Sequence, residues 1–157
     1  MTATWKQLTF IPSPEALREL RDNWGWLLDE SLQAFMCSAS GDVFFEDDAG
    51  AIHWLNTGQG ALTKIEASQA DFLAALRTDQ GAEWLLSNVV DSLIDAGMAL
   101  GPDQCYGFKV LPILGGEYSI ENMVPMSAVA WYGFSGYMHY QIKDLPDGSH
   151  VRLTTTP

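Results

Sequence analysis

The sequence predicts an α+β fold in which an antiparallel meander sheet is flanked by helices within one compact domain, residues 1–157. Its 157 residues are about the length of one domain and can bury a substantial core. The apolar period is two from Leu32 to Ile65, whereas apolar residues recur at helical spacing on either side of that segment. The apolar content of 47% excludes an intrinsically disordered chain, which requires low hydrophobicity together with high charge.

The first predicted helix follows a clear start signal. Ser13 is a suitable N-cap residue, and Pro14 is favoured in the first helical turn. Apolar residues then recur every three or four positions from Leu17 to Trp24. This spacing predicts a helix over about 14–24, and a continuation toward Leu28 stays open.

Short β-rich runs separated by turn-forming clusters occupy the next segment. Asp/Gly and Asn/Gly clusters favour tight connections between antiparallel strands. These runs are the predicted meander. Its strands and turns are, in order, Val43–Phe45, Glu46–Gly50, Ala51–Leu55, Asn56–Gly60 and Ala61–Ile65.

Two helices are predicted after the meander. Ser68, followed three residues later by an acid, begins the first of them ahead of Phe72. Thr78 is a suitable cap for the second, whose apolar stripe runs from Leu85 to Ile94. We expect this second helix to end at Gly97 or before Gly101-Pro102, because glycine is favoured just beyond a helix C-terminus and proline shortly after it.

The C-terminal third of the chain is less regular. Cys105–Leu111 is predicted to be a strand that Pro112 ends. Residues 126–143 favour a helix capped by Ser127, although their aromatic residues and two glycines would also suit strands. We also predict a last edge strand over 149–154.

Charge and cysteine content limit the classes of partner and the compartment. Twenty acidic residues against eight basic ones give a formal net charge of -12. A surface this negative repels phosphate groups, so we expect neither direct nucleic-acid binding nor a membrane partner. Cys37 and Cys105 lie in apolar stretches and are predicted to be reduced, buried thiols, with a bridge or a reactive thiol as the alternative. The absence of a signal-peptide pattern at the N-terminus predicts a cytoplasmic protein.

No arrangement of residues in the sequence nominates a catalytic centre. His53, His139 and His150 each lack a carboxylate or cysteine at metal-ligand spacing. The acids around His53 make a metal or acid/base site conceivable, but a strand histidine beside a solvated turn is the favoured interpretation. Residues 133–137 resemble a serine nucleophile motif whose final glycine is displaced by one position. We therefore predict no enzyme activity, no catalytic residue, no metal and no cofactor.

The acidic turn and its neighbouring tryptophan are the predicted binding site. Exposed aromatic residues anchor protein interfaces, and surrounding acids steer a basic partner toward them. The residues assigned to this site are Asp42, Glu46, Asp47, Asp48 and Trp54.

Two blocks near the C-terminus resemble a known family. They read LGGEYSIEN at 114–122 and GYMHYQIKDLPDG at 136–148. In this region, over about residues 70–150, the sequence resembles the C-terminal domain family of bacterial type VI secretion immunity proteins, a GAD-like-associated domain formerly of unknown function. The helix and Gly-Asp-containing meander before it look loosely similar to the SUKH group of immunity proteins.

The resemblance implies a non-catalytic protein that binds and neutralises a cognate toxin. Some members of the family protect against DNase effectors, so a basic nuclease is the plausible partner. An interaction or regulatory module without a toxin is the alternative, followed by a small-ligand binder or an enzyme, and the oligomeric state stays open. The motif residues Gly115, Gly116, Glu121, Asn122 and those of 146–148 are expected to form turns and caps rather than contacts.

Overall fold

An antiparallel five-stranded sheet forms the first half of the fold, and its strands lie side by side in chain order. The computed structural model describes residues 2–152. The strands of this sheet are β1 Thr9–Phe10, β2 Gln33–Ser38, β3 Val43–Glu46, β4 Ile52–Asn56 and β5 Ala61–Glu66. A separate two-stranded antiparallel sheet pairs β6 Gln104–Phe108 with β7 Met123–Ser127. The predicted α+β class and the antiparallel meander are confirmed.

Six α-helices accompany the two sheets within residues 2–152. They are α1 Trp5–Leu8, α2 Pro14–Trp24, α3 Gln69–Ala75, α4 Asp79–Trp84, α5 Ser87–Asp95 and α6 Ala128–Ile142. The predicted boundaries of α2 are confirmed, and Ser13 Oγ accepts a hydrogen bond from the backbone N–H of Ala16. The helix ends at Trp24 and does not run on to Leu28, because the next residues form a turn.

The prediction of one continuous helix after Thr78 is wrong, because two helices, α4 and α5, occupy this segment. Leu86 has a left-handed backbone conformation, φ 49°, and separates α4 from α5. Trp84, at the end of α4, packs in one hydrophobic cluster, whereas Leu93 of α5 packs in another. A straight helix would direct its apolar stripe to one side only, so the break lets each half reach its own core. The Thr78 hydroxyl donates to the carbonyl of Ala75 instead of capping α4.

The C-terminal strand predictions need three corrections. β6 ends at Phe108 rather than at Leu111, and Val110 beyond it is exposed. β7 was not predicted, and it includes the start of the segment 126–143, whose helix then begins at Ala128 as favoured. The last strand predicted over 149–154 is absent at 149–152, and its remaining residues lie outside the described part of the chain.

Both faces of the five-stranded sheet are covered. Along β3, Val43 and Phe45 enter the larger hydrophobic cluster, which includes residues of α2, α5 and α6. Phe44 points the other way into a smaller cluster with Phe72 and Trp84 of α3 and α4. Successive side chains of a strand alternate between faces, so one strand supplies both cores.

The two cysteines are free and buried, as predicted. Burial raises the pKa of the Cys37 thiol to about 12 and raises that of Cys105 well above its ordinary value. The reactive form of cysteine is the thiolate, so these groups are unreactive packing residues at neutral pH. None of the helices in the described part of the chain is long and apolar enough to span a bilayer.

Candidate functional site

A buried hydrogen-bond network occupies one end of the meander, and two predicted binding residues belong to it. The carboxylate of Asp42, only 4% exposed, accepts bonds from the backbone N–H of Thr57 at 2.9 Å and from its hydroxyl at 3.1 Å. Its second oxygen accepts a bond from Trp54 Nε1 at 3.0 Å. Burial raises the pKa of Asp42 to about 6, although each of these donors favours the charged form. Asp42 therefore connects the β2–β3 turn internally to Thr57 of the β4–β5 turn and to Trp54 of β4.

Helix α6 is attached to the same network. Trp131 Nε1 donates to the Thr57 hydroxyl at 3.0 Å, and His139 Nε2 lies 2.8 Å from the Thr57 carbonyl oxygen. A Cβ on Gly60 would come within 2.4 Å of His139 Nδ1, so the β4–β5 turn touches the imidazole ring directly. Burial lowers the pKa of His139. The histidine of the second sequence block is thus a structural contact between α6 and the sheet.

The acidic turn between β3 and β4 is the part of the predicted site that reaches the surface. Asp47 accepts bonds from the backbone N–H groups of Ala49 and Ala51 at 2.9 and 3.0 Å and lies 2.8 Å from His53 Nε2. These bonds, first of all the one with His53, lower the pKa of Asp47. Asp48 is exposed and Glu46 is half-buried.

The five predicted binding residues therefore do not form one surface patch. Glu46, Asp47 and Asp48 lie together at the turn, whereas Asp42 is interior and Trp54 is half-buried against it. Asp42 was assigned to the binding site together with the acids of the neighbouring turn, but its side chain is buried. The three donors around it provide the compensation that burial requires.

The side chains that resembled catalytic groups are engaged in packing. Ser135 lies in the middle of α6, donates to the Trp131 carbonyl at 2.6 Å and accepts from Trp24 Nε1 at 3.3 Å. Within residues 2–152, no group of three or more His, Cys, Asp or Glu side chains could hold a metal ion. A cavity of about 160 Å³ beside Phe10 and Tyr106 is lined by apolar, amide and hydroxyl side chains and by Lys6, without histidine or carboxylate.

The first sequence block forms a tightly bonded loop after β6. Asn122 accepts a bond from the Val110 N–H and donates to the carbonyls of Val110 and Glu117, each at 2.9 Å. A Cβ on Gly116 would lie 1.9 Å from the Val110 oxygen, so only glycine fits this approach. Gly116 and Asn122 have the turn-forming role that was expected of them.

The outward side of α6 presents aromatic rings to solvent. Phe134, Tyr137 and Tyr140 are 39%, 58% and 50% exposed, and we call them the aromatic face of α6. The helix contains no Asp, Glu, Lys or Arg over Ala128–Ile142. This surface was not predicted, although a helix without a charged residue on any side was an available signal in the sequence.

Comparison with known proteins agrees with the C-terminal resemblance. Residues 66–139 match the family described as T6SS immunity protein Tdi1, C-terminal. The predicted resemblance to this family is confirmed over that segment. The matched segment contains α3, α4, α5, both strands of the small sheet and most of α6. The similarity to SUKH proteins stays a prediction.

A solved structure shares the fold. The crystal structure of Atu4351 from Agrobacterium tumefaciens superposes with a TM-score of 0.61 at 18% sequence identity. The alignment covers 87% of this chain and 70% of that chain. At this identity the likeness concerns the fold alone. A search of the curated proteins found no match.

Proposed function

We propose that this chain is an immunity-type protein that binds a cognate bacterial toxin and neutralises it without catalysing a reaction. The match of residues 66–139 to a family of type VI secretion immunity proteins carries this proposal. That segment supplies much of the larger core together with the small sheet, so it is integral to the fold.

The internal use of the polar side chains supports a binding role rather than a catalytic one. His139, Ser135 and Asp42 are buried, and each is held by hydrogen bonds to neighbouring turns or helices. A catalytic group must reach a substrate in a cleft, and these three lie inside the packed interior.

The charge of the chain supports a basic toxin of the nuclease class. A nuclease needs positive charge where it contacts phosphate, and an inhibitor of net charge -12 complements that field. Complementary potentials raise association rates toward about 10⁸ M⁻¹s⁻¹ at low salt and fix the orientation of the encounter. In this proposal the acidic turn at 46–48 steers the toxin and supplies little of the final affinity.

Co-expression with the toxin encoded beside this chain's gene tests the proposal. We expect the chain to restore growth of a bacterial host that produces the toxin, and the two proteins to elute together from a sizing column. An unrelated acidic protein of similar size, expressed at the same level, is the control for non-specific charge effects. Continued growth arrest at matched expression, with no complex on the column, would contradict the proposed function.

A further inference from the structure

We propose that the aromatic face of α6 is the centre of the toxin interface, and that it receives an arginine-bearing surface of a basic toxin. The inference rests on the proposed function, because the toxin is the partner that it assigns. It names the contact surface, which the family match does not.

The aromatic face combines large exposed rings with a rigid support. Tyr137 is the most exposed of the three rings, and Phe134 lies 6.2 Å from the buried ring of Trp131. On the opposite side of the helix, Trp131 and His139 are bonded to Thr57. Aromatic residues held in place in this way lose little conformational entropy when a partner covers them, which is typical of interface hot spots.

A cation already occupies one edge of this face. Lys143 Nζ lies 5.2 Å from the centre of the Tyr140 ring, and Trp26 meets the same ring edge-on at 6.1 Å. The C-terminal end of α6 adds partial negative charge at this position. The same geometry would accept a guanidinium group of a partner over Tyr137, because arginine stacks on tyrosine faces more readily than lysine does.

Carboxylates flank the aromatic face without interrupting it. A Cβ on Gly133 would come within 2.8 Å of Glu19 Oε1, which places this acid of α2 directly beside α6. Asp144 follows the helix with a side chain that is 86% exposed, and its carboxylate forms an ion pair with Lys143 Nζ at 2.7 Å. An apolar centre with acids at its edges complements an apolar or arginine-rich surface with a basic rim.

The net charge selects among possible occupants of this face. Two copies of a chain with net charge -12 repel one another, and an anionic membrane repels the chain in the same way. A positively charged protein is the occupant that the electrostatic field favours. The acidic turn lies apart from this face, because five residues of β4, about 17 Å at ~3.3 Å each, separate that turn from Thr57.

Substitutions at Tyr137 test both the surface and the chemistry of the partner. The probe is the purified product of the adjacent toxin gene, and the readout is the dissociation constant with the full chain. We expect Tyr137→Ala to raise the dissociation constant by roughly 30-fold, as for an interface hot spot, and Tyr137→Lys to raise it further by repelling a basic partner. Tyr137→Phe keeps the ring and should stay within about threefold of the parent chain.

Leu73→Ala is the matched control, because Leu73 is 53% exposed on α3 and lies outside the aromatic face. Circular dichroism melts of all variants establish that they remain folded. If the parent chain binds the toxin and Tyr137→Ala and Tyr137→Lys bind equally well, the surface assignment is overturned while the proposed function stands. If the parent chain binds no toxin, the proposed function fails, and the assignment with it. A dimeric parent chain that becomes monomeric in Tyr137→Lys would identify the face as a self-association surface instead and also overturn the inference.

Discussion

Replacing Asp42 by Asn should change how stability depends on pH. Burial raises the pKa of Asp42 from an ordinary 3.8 to about 6, so the folded state holds this proton more tightly than the unfolded chain does. Ionisation therefore lowers the free energy of unfolding as the pH rises between those two values. The difference between the two pKa values corresponds to a loss of about 3 kcal/mol in the free energy of unfolding. About 1.4 kcal/mol of this loss falls between about pH 5 and pH 7.5.

Asn removes this titration but keeps the shape of the side chain. An Asn amide has one accepting oxygen, whereas the Asp42 carboxylate has two. The amide therefore cannot accept both the bond from Trp54 Nε1 and the two bonds from Thr57, and this loss is a constant cost in the free energy of unfolding. That cost does not depend on pH. The free energy of unfolding of the variant, relative to the parent chain, should therefore rise by about 1.4 kcal/mol from about pH 5 to pH 7.5.

Urea unfolding followed by circular dichroism at the two pH values measures this difference. Asp48→Asn is the matched control, because it removes the same charge from an exposed position of the neighbouring turn. Its stability should follow that of the parent chain at both pH values. A gap between Asp42→Asn and the parent chain that is the same at both pH values would refute the raised pKa of Asp42.

Two further variants test the contact between α6 and the sheet and the role of the acidic turn. Gly60→Ala should lower the free energy of unfolding by at least about 2 kcal/mol more than Gly97→Ala in urea melts. Both glycines have positive φ, but only at Gly60 does the added Cβ meet His139, so equal losses would contradict that contact. The double variant Glu46→Gln/Asp48→Asn should slow association with a basic toxin and flatten its salt dependence in stopped-flow measurements. An unchanged association rate would show that the acidic turn does not steer the toxin.

Local signals made much of the fold predictable. The start of α2 depends on Ser13 and its bond to Ala16, and the meander depends on turn residues and a period of two, all of which are properties of neighbouring residues. The break at Leu86 was not predictable in this way, because the apolar stripe continues through it. Which of two cores each half of the stripe enters is decided by residues far away in the sequence.

Four properties could be read from the amino-acid sequence alone: the α+β class, the acidic charge, the buried thiols and the resemblance to an immunity-protein family. These properties follow from composition, from local spacing and from short blocks such as 114–122, and no distant contact is needed to read them. Which polar and aromatic side chains face solvent depends instead on contacts between distant parts of the folded chain. Asp42 became interior because Trp54 and Thr57 surround it with donors, and Tyr137 became exposed because the opposite side of α6 is bonded to the sheet.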